Sequence, residues 1–189
     1  MFLESVSQLY SIVRSSCTKI FLLRLNFIGE EGNVFDAIKY AARLTVRSSV
    51  SKIMVLVNCE TIYDKRIFAD TSIMLKEQDI TLHYLAPTSF RLKNKAMNDI
   101  FGFDKNYVYT SSSLSTRSGD SALRTHLKTP KDYVSALSLN SGGLIFSQSN
   151  LVVSSSTEKQ AATILGRQIA RTGAPSTCQV VYILFINGV

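Results

Sequence analysis

The chain is 189 residues long, 46% hydrophobic and 19% charged. That composition excludes a disordered, collagen-like or coiled-coil protein and leaves enough chain to bury a core without disulfide or metal staples. Twenty-one Lys and Arg against fourteen Asp and Glu give a net charge of +7, which favours anionic surfaces.

In chain order, Leu3, Val6, Leu9, Tyr10 and Val13 repeat at helical spacing, so residues 1–17 read as an N-terminal helix. Glu4 interrupts any signal-peptide core, which by itself implies a cytoplasmic chain. Lys19 to Phe27 is a near-continuous apolar run of strand length, suited to a strand buried on both faces. Gly29 to Asn33 is a turn cluster, with Asn33 as the cap of a helix from Val34 to about Ser48. Val34, Ile38, Ala41 and Thr45 form its inner stripe, flanked by Phe35 and Ala42. Lys52 to Asn58 reads as a strand, Lys65 to Gln78 as a helix with Ile67, Thr71, Met74 and Leu75 inward, and Ile80 to Leu85 as a strand. A strand, a crossover helix and a strand in so short a span make a βαβ unit.

Beyond Pro87, a helix is expected around Lys95 to Phe101 and a short strand at Tyr107 to Tyr109. Thr110 to Asp120 is a Ser-rich loop. Pro130 starts a helix that the pair Gly142-Gly143 stops, and Leu144 to Phe146 is a strand. Glu158 to Arg171 reads as an amphipathic helix capped by Thr157. The tail from Val180 is apolar: a last strand, or a foreign or cut end. At seven residues, Val180 to Ile186 is the longest apolar run, too short for a transmembrane segment.

The densest basic groups, Arg91, Lys93, Lys95 with Lys105, and Arg117, Arg124, Lys128, Lys131, are dispersed. With no Arg-rich run, RNP-type aromatic stripe or zinc-finger spacing, they read as a solvated basic surface and argue against nucleic acid as a partner. The three cysteines, Cys17, Cys59 and Cys178, form no CxxC and fit either three buried thiols or one disulfide with a free thiol, and two histidines cannot make a His-rich metal site. Cys59, at the C-terminal end of an expected parallel strand, is the best nucleophile, with His83 or His126 as the base it would need. Ser141-Gly142-Gly143 lacks the context of a phosphate loop and reads as a helix stop.

The run Gly29 to Ala42 (GEEGNVFDAIKYAA), then KIMVLVNCE, a helix, and DITLHYLAP resembles the middle of a von Willebrand factor type A (vWA) domain. Asp132 to Phe146 (DYVSALSLNSGGLIF) is similar to that family's last helix and its "S-G-G-x-x-F" strand. The nearest flavour is the vWA-like module of large insect and arthropod lipid carriers, the apolipophorin and lipid transfer particle group. The resemblance implies a three-layer α/β domain over residues 18–172, with a mostly parallel sheet, helices on both faces and the first strand missing. Residues 173–189 would be an apolar tail.

The family's metal-ion-dependent adhesion site draws on an Asp-x-Ser-x-Ser run, absent here, a Thr in the Gly-rich loop, where Glu31 and Asn33 stand, and an Asp where this chain has Asn58-Cys59. A thiol in place of a carboxylate removes charge and hardness that Mg²⁺ requires. The resemblance therefore implies a degenerate ligand edge, Glu31, Asn33, Asn58, Cys59 and Glu60, with no metal, cofactor or catalytic residues. It further implies a non-catalytic interaction module of a secreted, extracellular lipid-transport protein. Its partners would be another protein, a lipoprotein assembly or an anionic surface. The alternatives are a small α/β hydrolase using Cys59 or Ser141, and a basic nucleic-acid-binding domain.

Overall fold

The computed structural model describes residues 19–26, 33–44, 51–58, 68–87, 90, 92, 100–110, 119–128, 131–147 and 179–187. In chain order its elements are β1 (Lys19–Asn26), α1 (Asn33–Arg43), β2 (Ser51–Asn58), α2 (Phe68–Glu77), β3 (Ile80–Ala86), β4 (Ile100–Phe103), β5 (Val108–Thr110), α3 (Ser121–His126), α4 (Tyr133–Asn140), β6 (Ile145–Ser147) and β7 (Gln179–Asn187). The class is α/β, as expected.

The seven strands form one sheet in the order β1-β7-β2-β3-β6-β4-β5. The sheet is mixed. β1, β7, β2, β3 and β6 run parallel, whereas β4 is antiparallel to both β6 and β5. The antiparallel edge follows from a short connection: the four residues between β4 and β5 suffice for a hairpin but not for a parallel crossover.

The place of β7 settles the reading of the tail. It lies between β1 and β2, paired with β1 from Lys19↔Val180 to Asn26↔Asn187 and with β2 from Ser51↔Gln179 to Asn58↔Ile186. Residues 179–187 are therefore an interior strand of the sheet, not a segment apart from it.

β2 and β3 show why a strand buried on both faces reads as continuous apolar sequence. On one face Met54, Leu56, Leu82, Tyr84 and Ile145 join a core with Phe35, Ile38 and Ala41 of α1, Leu75 of α2, and Val134 and Leu137 of α4. These three helices thus lie on one face of the sheet. Ile53, Val55, Val57, His83, Leu85 and Phe146, on the other face, are buried too. The inner stripes expected for the helices hold at Val34, Phe35, Ile38, Ala41, Ala42, Thr71 and Leu75, all buried.

Three expectations need correction. The helix expected around 95–101 gives way at Ile100 and Phe101 to β4, bonded on both sides by β5 and β6. Gly102, which costs a helix about 1 kcal/mol relative to Ala, lets β4 approach β6: a Cβ there would lie 2.6 Å from the Ile145 carbonyl. Phe103 stands edge-on to Phe90, ring centres 5.0 Å apart. The helix expected from Pro130 begins at Tyr133, capped by Asp132, and α3 lies where no helix was expected. The helices expected at 1–17 and 158–171, and Thr45, Ile67, Cys17 and Cys178, lie outside the described residues.

Candidate functional site

In open α/β sheets ligands bind at the C-terminal ends of parallel strands. Asn58 is the last residue of β2, Asn33 opens α1 just beyond the end of β1, and Pro87 follows β3 directly, so all three lie at that edge. Glu31, Cys59 and Glu60 lie outside the described residues.

The register adds two positions that sequence reasoning missed. Asn26 and Asn187 end β1 and β7 directly opposite each other, and Asn58, opposite Ile186, ends the strand on the other side of β7. Three adjacent parallel strands therefore each finish on an asparagine, within about 10 Å across the sheet at the usual strand spacing. The signal was present in the sequence, since KIFLLRLN, KIMVLVN and QVVYILFIN are all apolar runs closed by Asn. Only the strand order shows that they are neighbours. A carboxamide both donates and accepts hydrogen bonds but carries no charge. Among the described residues no three His, Cys, Asp or Glu side chains gather as a metal cluster.

The histidine and serine weighed for catalysis are held in structural roles. His83 is wholly buried, and its Nδ1 accepts the Leu144 N–H at 3.2 Å, which places the ring proton on Nε2. Burial pushes its pKa down from 6.5 to about 3, so the ring is neutral near pH 7. Ser141 Oγ accepts the Leu82 N–H at 3.0 Å and donates to the Ser138 carbonyl at 3.0 Å. Its proton is committed to a carbonyl, not to a base that would activate it. His126 is exposed at the end of α3.

The Ser-Gly-Gly stretch is a Schellman stop. Gly142 N–H bonds to Leu139 O, Gly143 N–H bonds to Ser138 O, and Gly142 has φ 77°. Ser138 Oγ reaches Leu82 O at 2.8 Å and Leu144 O at 3.1 Å, tying the helix end to β3 and β6. A phosphate cradle needs free backbone N–H groups; here the N–H groups of Ser141, Gly142 and Gly143 are all bonded within the motif.

At the opposite edge, by the start of β3, lies an open groove of about 380 Å³ with Ser72, Lys76, Asp79, Lys105, Asn140 and Ser141 among its lining. Asp79 offsets one of the two lysines, and the groove meets the C-terminal ends of α2 and α4, where cations are favoured in any case. Among the expected basic groups, Lys105, Lys128 and Lys131 are exposed. Arg124 serves the fold: its Nε donates to Asp104 O at 2.7 Å and its guanidinium lies 5.0 Å from the Phe103 ring centre. Burial lowers its pKa, opposed by the Asp104 charge.

Among the described residues no helix is long and apolar enough to cross a membrane. The chain matches no family model, no curated protein and no solved structure.

Proposed function

We propose that this chain is a non-catalytic interaction module that binds its partner without a metal ion, through the edge where β1, β7 and β2 end. The observation that carries the reading is the row of Asn26, Asn187 and Asn58 on three adjacent strands. These three strand ends carry asparagine rather than the carboxylates that a hard divalent cation prefers. The engaged hydroxyl of Ser141 and the neutral, buried ring of His83 favour recognition over reaction.

The finer fold reading goes with this proposal: a vWA-like, three-layer domain, mostly parallel, with helices on both faces and a degenerate metal site. On that resemblance the parent is a secreted lipid carrier, and the net charge of +7 supplies attraction to anionic lipid surfaces.

The test has two arms. Calorimetric titration with Mg²⁺ or Mn²⁺ is expected to show no tight stoichiometric site. Flotation with phosphatidylserine-containing emulsion particles is expected to show binding unchanged by EDTA and reduced at least fivefold by the triple substitution Asn26→Ala, Asn58→Ala, Asn187→Ala. A tight cation site, or lipid binding that ignores the triple substitution in a folded variant, overturns the reading.

A further inference from the structure

We draw no further inference here: the strongest candidate, the open groove lined by Ser72, Lys76, Asp79, Lys105 and Asn140 at the edge where β3 begins, carries nothing, because its two cations and one carboxylate accept an anion, a zwitterion or plain solvent alike and no feature of the groove selects among them.

Discussion

Gly142 and Gly143 are neighbours with different reasons for being glycine, and substitution separates them. A Cβ on Gly143 would lie 1.8 Å from Leu82 O, against backbone that cannot step aside. Gly143→Ala is expected to cost about 3 kcal/mol or more in urea unfolding. Gly142 has open space around it but sits at φ 77°, so Gly142→Ala should cost about 1–2 kcal/mol and Gly142→Asn less. His83 gives a pH signature. Its folded-state pKa of about 3 lies below the unfolded value of 6.5, so protons bind the unfolded chain more readily between the two. The contribution of the neutral ring is complete above about pH 6.5 and is lost as pH falls towards 3, at about 1.4 kcal/mol per pH unit. His83→Leu leaves the buried Leu144 N–H without its acceptor and should cost about 1–3 kcal/mol at pH 8. It should also flatten the acid side of the stability curve, measured by denaturation from pH 8 to pH 4.

At the scale of the element, α4 depends on its cap. Asp132 is buried, and its carboxylate accepts the Ser135 N–H at 2.8 Å and the Ser135 hydroxyl at 2.7 Å. Asp132→Ala is expected to lower stability by about 2 kcal/mol, whereas Asp120→Ala at the exposed cap of α3 should cost nearer 0.5 kcal/mol; thermal denaturation of the two variants checks the ranking. The same segment shows what could be read from sequence. α1 was legible because Val34, Ile38 and Ala41 recur at helical spacing, and β2 because Ile53 to Val57 is an unbroken apolar run of strand length. β4 was not, because IFGF is four residues whose state is decided by pairing with β5 and β6, and local propensity says nothing of either. The candidate site divides in the same way. Asn58 could be found from its own strand, but its juxtaposition with Asn187 needed a register spanning more than a hundred residues of chain.

For the whole molecule, β7 holds the sheet together. It bridges β1 to β2, and among the described strands no other contacts β1. A proline at an interior strand removes a ladder bond and clashes with its neighbour. Ile183→Pro, with strands on both sides, is therefore expected to abolish cooperative unfolding followed by circular dichroism, while Leu22→Pro in β1, which has one neighbour among the described strands, should leave a residual transition. β7 also follows β2 by some 120 residues of sequence. At a ribosomal rate of about 5–20 residues per second, β1 and β2 emerge many seconds before the strand that separates them. Throughout that interval the nascent polypeptide carries two unfilled, greasy borders facing one vacancy, and its yield in a cell depends on whatever shields them until the keystone arrives.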